Sequence, residues 1–373
     1  MYYDEISSNS TACYGEVTVV DLRSDTITKP TKRMREAMCN AEVGDDVFGE
    51  DPTVKKLEEA AAKMVGMEAA IFVCSGTMGN LIAIMIHCNV RGNEAYCGED
   101  AHCLLYEQCG ASQIGGVNLR PIRNNIDGTF DLSELQAKLR KDRDHEPISK
   151  LVLVENTIHG KIVPQSWLKE LVSFCKERDL KLHMDGARLW NASVGSKQSA
   201  EEIVSGFDSV TFCLSKGLGA PVGSLLCGSK SFITEARRIR KVLGGGMRQV
   251  GVLAAAGLVA LEHIPNLIND HKRAFVLASM INDMQSTVFT VDLSTVQTNM
   301  FSMQVNSNVV SATKFAQCLQ QLDNDNEDKI IVKSLALNDS SVRFVFSLEI
   351  TDNDLKLAIQ RIRQVIKKFD PKL

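Results

Sequence analysis

A chain of 373 residues, 44% hydrophobic and 24% charged, can bury a large core and has the balance of a globular protein. Its formal net charge of −4 offers no basic surface for nucleic acid or an anionic membrane, so a small molecule is the expected partner. The 11 cysteines include no Cys-x-x-Cys pair, and Cys97, Cys103 and Cys109 lack the paired spacing of a zinc site, which predicts reduced thiols and no metal.

The first sixteen residues, MYYDEISSNSTACYGE, have neither the apolar run of a secretory signal nor the arginine-rich pattern of a transit peptide. Residues 1–19 are expected to form an N-terminal arm, and cytoplasm is the default compartment. An extended segment opens at 19–26 and stops at Pro30, a helix follows at 31–38, and 44–53 is an acidic loop. Pro52 suits a helix start, and Val54, Leu57, Ala61 and Val65 recur at helical spacing behind it.

Strands and helices then alternate. The run AAIFVC (69–74) is a strand, Ser75-Gly76-Thr77 its exit turn, and 78–87 a helix with Leu81, Ile82, Met85 and Ile86 on one face. Short strands are expected at 94–97, 150–155, 181–184 and 210–214. Between them lie a helix after Ala101-His102, a helix striped by Trp167, Leu168, Leu171, Val172 and Cys175, and a helix at 232–243. The alternation predicts an α/β fold built of βαβ units around a mostly parallel sheet. The stretch 250–260 is too short to span a bilayer and is expected in the core. After about 265 the pattern becomes helix, clustered strands and a closing helix at 352–369, a small α+β unit. The expected division is an arm (1–19), a large ligand-binding domain (20–265) and a small C-terminal domain (266–373).

Parallel α/β sheets bind ligands beyond the carboxyl ends of their strands. The residues predicted to collect there are Ser75-Gly76-Thr77, His102, Asn156 with His159, Asp185 with Arg188, and Lys216. A lysine delivered by the strand 210–214 into the glycine-rich turn KGLGAPVG can be desolvated, and a neutral amine forms a Schiff base with a carbonyl. A strand-end lysine can equally snorkel to solvent. The Ser75–Thr77 turn can cradle a phosphate or simply cap a helix. Asp185 can hold a pyridinium nitrogen protonated, as pyridoxal phosphate requires, or pair locally with Arg188. His102 can stack on an aromatic ring, cap a helix or move protons. Each residue alone is equivocal; phosphate turn, aspartate and lysine in that chain order favour pyridoxal phosphate.

Longer motifs carry a resemblance over roughly 20–250: DLRSDTITKPT (21–31), VGDDVFGEDPTV (43–54), SGTMGN (75–80), AH–YE (101–107), ENT–GKIVP (155–164), HMDGAR (183–188), LSKGLGAPVGS (214–224) and GGGMRQ (244–249). The chain resembles the low-specificity threonine aldolases, pyridoxal-phosphate enzymes of the type I transferase fold. The resemblance implies a seven-stranded, mostly parallel sheet in the large domain and retro-aldol cleavage of L-threonine or L-allo-threonine to glycine and acetaldehyde. It implies Lys216 as the cofactor-bearing lysine, Asp185 at the ring nitrogen, His102 stacked on the ring, and Ser75, Gly76 and Thr77 at the phosphate. Ser24, Arg188 and Arg343 would hold the substrate carboxylate, and Lys241 and Arg248 would reach a neighbouring subunit's site in a homotetramer of two dimers. Where the family carries an active-site histidine this chain has Ile158, with His159 one place later; Phe48 stands for a tyrosine, and Phe346-Ser347 for a Thr-His pair. A weakened or silent relative, and another lyase or racemase of this fold, are the alternatives.

Overall fold

The computed structural model describes residues 17–141, 143–322 and 329–372; most of the expected N-terminal arm lies outside them. The described chain enters through β1 (Thr18–Asp21) and a 3-10 turn at Asp25–Ile27 capped by the Ser24 hydroxyl. Helices follow at Lys32–Cys39 and Pro52–Met64; the second starts on the proline, whose missing N–H needs no acceptor there, and Asp51 caps it.

The central sheet consists of β2 (Ala69–Val73), β3 (Asn93–Gly98), β4 (Asn118–Ile122), β5 (Ile148–Glu155), β6 (Lys181–Asp185), β7 (Ser209–Cys213) and β8 (Ser224–Gly228). Its order is β2-β8-β7-β6-β5-β3-β4, parallel except for β8, which runs antiparallel to both neighbours. The inner strands β3, β7 and β8 are buried at every position, the mark of a sheet covered on both faces. Two of these strands were not foreseen. Pro121 disguised β4, which tolerates a proline because it is the edge strand. The second, β8, hid in the glycine-rich stretch after Lys216. One helix start also differs: Gly76–His87 begins two residues before the expected 78, because Ser75 accepts the Met78 N–H at 3.1 Å and thereby caps it.

Beyond the long helix Leu267–Asp283 come β9 (Phe289–Thr290), β10 (Met300–Val305), β11 (Ile330–Lys333), β12 (Leu335–Asn338) and β13 (Ser341–Val345). Four of them form the antiparallel sheet β12-β13-β10-β9, flanked by helices Ala312–Gln320 and Asp352–Phe369, and β11 pairs in parallel with β1. That pairing moves the start of the chain. Val20 and Leu22 sit in the second core with Leu277, Phe301, Phe315, Phe344 and Ile362, so residues 18–22 pack with the C-terminal unit rather than with the expected arm or large domain. The first core ends with Leu267 and the second resumes at Ala274. Helix Gly251–Leu261 is a core helix, and no single described helix is long and apolar enough to cross a membrane. The described cysteines are free thiols.

Candidate active site

Three neighbouring strands end on the groups that matter. Glu155 closes β5 opposite Asp185, which closes β6 opposite Thr211 of β7. Just past β7 the half-buried Lys216 sits in a turn closed by backbone bonds: Leu214 donates to Gly223 at 3.0 Å, Ala220 to Leu214 at 3.0 Å and Gly219 to the Lys216 carbonyl at 2.8 Å. Gly223 adopts φ +107° with its α-carbon against the Phe72 ring, a place where any side chain would be strained and would clash. The turn thus returns the chain directly into β8 and leaves Lys216 at the strand ends. Thr28 fastens it from the other side, donating its hydroxyl to the Lys216 carbonyl at 3.3 Å.

Asp185 is 4% exposed and doubly held. One carboxylate oxygen accepts the Ala187 N–H at 3.0 Å, and the other accepts from Asn80 Nδ2 at 2.7 Å. Asn80 spends its second hydrogen on Glu107 Oε1 at 2.9 Å, and the same oxygen meets His102 Nδ1 at 2.9 Å. The His102 backbone N–H in turn donates to Glu155 Oε2 at 2.8 Å. His102 begins a short helix, and its ring leans on Tyr106 with centroids 5.6 Å apart. Its hydrogen bond to Glu107 holds the imidazole above its ordinary value. Burial, and then the charge of Asp185, push Glu155 up to about 7.

The local pairing of Asp185 with Arg188, an open alternative in the sequence, does not form. Arg188 turns instead to Asp25, donating Nε at 2.8 Å and Nη2 at 2.7 Å. Four residues after the strand-ending Asp185, the next helix, Leu189–Ser196, has just begun, and Arg188 caps its start with a backbone that leads the side chain to the N-terminal segment. Burial pushes the fully buried Asp25 carboxyl up, but Arg188, with Lys216 beyond it, outweighs this and holds it below the usual carboxylate range. Asn299 adds a bond to Asp25 at 3.1 Å and another to the Phe346 carbonyl at 2.9 Å. Arg343, on β13, donates to the Arg23 carbonyl at 3.2 Å. Ser24, Arg188 and Arg343, far apart in sequence, therefore converge on residues 23–25.

The loop after β5 resolves the Ile158-His159 departure. Ile158 and Lys161 pair across a tight turn, with Ile158 buried in the core between Gly128 and Val163. His159 is exposed on the turn, in the field of Asp100, Lys161, Arg343 and Arg188. The turn is tied to the small unit by the Thr298 hydroxyl, which donates to the Gly160 carbonyl at 2.6 Å. Lys241 and Arg248 lie elsewhere on the chain. Arg248 pairs with Asp45 at 2.9 Å and lies over Phe48, 6.0 Å from the ring centroid, while the exposed Lys241 runs along Gly246.

Residues 21–306 match the β-eliminating lyase family model. The low-specificity L-threonine aldolase 1 of Arabidopsis thaliana is 46% identical over 93% of this chain and 96% of its own. The low specificity L-threonine aldolase of Escherichia coli (strain K12) is 46% identical over 77% and 85%. The chain belongs to the β-eliminating lyase family, among the low-specificity L-threonine aldolases. The fold of this threonine aldolase relative agrees: the threonine aldolase of Leishmania major superposes with a TM-score of 0.76 at 18% identity, covering 93% of this chain and 99% of that one. A structure of SPT with PLP superposes with a TM-score of 0.70 at 18% identity over 95% and 88%.

Several site groups of the aldolase-family chain escaped sequence reasoning: Asp25, Asn80, Glu107, Glu155 and Asn299. The first four lie inside or beside the quoted motifs, so their position was visible and their partners were not. Asn299, in the stretch VQTNM before β10, had no local signal at all.

Proposed function

We propose that the protein cleaves L-threonine and L-allo-threonine to glycine and acetaldehyde, with pyridoxal 5'-phosphate held at the strand ends of β5, β6 and β7. The observation that carries this is the convergence of a lysine, a doubly hydrogen-bonded carboxylate and a helix N-terminus at the carboxyl ends of strands of one sheet. The donor set fits the cofactor. The helix Gly76–His87 offers first-turn N–H groups at Gly76 and Thr77 that have no intrahelical acceptor, beside the Ser75 hydroxyl, where a phosphate is favoured. Buried Asn156 Nδ2, Thr157 Oγ1 and Ser347 Oγ, on segments framing the site, have no hydrogen-bond partner among the described residues, so polar capacity is left for a ligand.

Bound there, pyridoxal phosphate supplies an electron sink for the pair released when the Cα–Cβ bond breaks. Lys216 would hold its carbonyl carbon, and Asp185, which accepts from two N–H donors, would face the ring nitrogen. Arg188 and Arg343, with Ser24 between them, take the substrate carboxylate; guanidinium forks suit its two oxygens. Asp25 occupies the Nε–Nη2 edge of Arg188, which leaves the Nη1–Nη2 edge for substrate. The proton of the substrate hydroxyl has two imidazoles at hand. His102 has Nδ1 engaged by Glu107 and Nε2 open to accept; His159 stands on the rim.

We take the active unit to be a homotetramer of two dimers working in the cytoplasm. Phe48 and Val242, each 73% exposed, give the region carrying Lys241 and Arg248 an apolar surface suited to a second copy of the chain. Sedimentation of the purified protein tests that assembly.

The buried Ile158 is the feature that favours a silent or differently selective relative. Because its side chain is packed in the core, Ile158→His would insert an imidazole there rather than restore a base, and His159→Ala is the sharper probe. Wild type is expected to show a near-visible band that borohydride removes, and to release glycine and acetaldehyde from both isomers. Lys216→Ala should lose the band and the activity, and His159→Ala should lower turnover with the band intact. A colourless protein that takes up no pyridoxal phosphate would sink the cofactor; a coloured one that cleaves neither isomer would leave the silent relative standing.

A further inference from the structure

Behind Asp185 a line of buried polar groups runs the length of the helix Gly76–His87, from the carboxyl ends of the strands back toward their opposite ends. Asn80 Oδ1 lies 3.2 Å from His183 Nε2, His183 Nδ1 lies 2.8 Å from the Ser209 hydroxyl, and the same hydroxyl lies 2.7 Å from His87 Nε2. His183 and Ser209 face one another as register partners on β6 and β7, and His87 stacks on Phe232 with centroids 4.8 Å apart. Asn80, His183 and Ser209 are at most 1% exposed, so none of them can turn to bulk water for a substitute partner, while His87, 8% exposed, ends the line at the wall of an open surface cavity.

Counting hydrogens leaves one arrangement. Asn80 Nδ2 has two, and both go to carboxylates, Asp185 and Glu107. A flipped amide would aim its oxygen at two carboxylates, so the oxygen must face His183 and accept. Burial pushes His183 down to about 3, leaving one proton on the ring near neutrality, and that proton must be on Nε2. Nδ1 then accepts from the Ser209 hydroxyl. With its hydrogen used, Ser209 accepts in turn from His87 Nε2–H, and burial pushes His87 down to about 4, so it too is neutral.

We propose that Asn80 is a positioning residue that sets Asp185 and the Glu107–His102 pair in one fixed register, and that the same amide orientation fixes the hydrogens of His183, Ser209 and His87 behind it. The consequence for the ring nitrogen rests on the cofactor assignment above; the proton order itself is a property of the free chain.

Two measurements separate these. Long-range nitrogen–proton spectra of the cofactor-free, ¹⁵N-histidine-labelled protein should show His183 and His87 neutral with the hydrogen on Nε2 at pH 7. An imidazolium, or a hydrogen on Nδ1, at either ring overturns the proposal. Asn80→Asp, which replaces two donors with an acceptor at constant shape, should raise the dissociation constant for pyridoxal phosphate about tenfold or more, the scale of losing a hydrogen bond to a charged group. It should also move His183 to the imidazolium form. Unchanged cofactor affinity in a folded Asn80→Asp protein overturns the positioning role. If Asn80→Asp does not fold, Ser209→Ala serves instead. It removes the donor to His183 Nδ1 while Asn80 Oδ1 still accepts at Nε2, so His183 should keep its hydrogen on Nε2; a shift of that hydrogen to Nδ1 overturns the orientation assigned to Asn80. A wild type that binds no pyridoxal phosphate defeats the cofactor assignment, while the nitrogen spectra still decide the proton order.

Discussion

Asp25 governs how Arg188 can be used. Its carboxylate occupies one edge of the guanidinium with two short bonds, is fully buried, and is itself braced by Asn299 of the small unit. Removing one charge from such a pair strands the other in a poor dielectric, which costs about 3–5 kcal/mol in comparable buried pairs. Asp25→Asn should therefore lower the urea midpoint markedly and raise KM for the amino acid more than it lowers kcat, since the arginine loses its orientation while Lys216 and Asp185 keep theirs. Equal losses in both constants would place Asp25 in the chemical step instead. The motif DLRSDTITKPT marked Asp25 as notable, yet its partner lies 163 positions away, a contact that no local spacing encodes.

At the level of elements, the turn between β7 and β8 decides where Lys216 stands. Gly223 is held at φ +107° against the Phe72 ring, so Gly223→Ala adds both backbone strain and a clash. We expect a loss of at least ~2 kcal/mol, read as a lower melting midpoint, with a weakened cofactor band as the Lys216 turn shifts. A variant as stable as wild type would show that the turn tolerates a side chain. The sequence marked the turn correctly by its glycines and missed β8 directly after it, because five residues among glycines and a proline carry too little period to be distinguished from loop. Edge strand β4 was missed for the opposite reason: its proline argued against a strand, and only its place at the sheet margin makes that proline acceptable.

Across the whole molecule, the helix Leu267–Asp283 carries the chain from one core to the other and buries an acid on the way. Asp270 is 3% exposed, and burial raises it to about 7, with Arg273 at 3.5 Å offsetting only part of this and Asp25 adding to it. A carboxyl whose folded value lies above its unfolded 3.8 stabilises the fold fully below that value, and the contribution is lost as pH rises through about 7. The linked change has an upper bound of roughly 4 kcal/mol. Urea midpoints measured from pH 5.5 to 8.5 should therefore fall more steeply for wild type than for Asp270→Asn up to about pH 7, with the gap in favour of the variant opening below that pH and staying constant above it. Parallel curves would mean that Asp270 stays ionised throughout.

The sequence by itself determined the alternation of strands and helices, the small α+β unit at the end, and the order of the lysine, aspartate and phosphate-binding turn along the chain. These depend on local apolar periodicity and on glycine and capping residues, which act over a few positions. Only the tertiary structure decided that Val20 and Leu22 join the C-terminal core, that Asp25 rather than Asp185 takes Arg188, and that Ile158 faces the core while His159 faces the rim. It also decided that Asn80 ties Asp185 to His102. Each of these is a contact between segments brought together by the sheet order, and the energy that selects them is burial and hydrogen-bond satisfaction, which no single segment possesses before the sheet has formed.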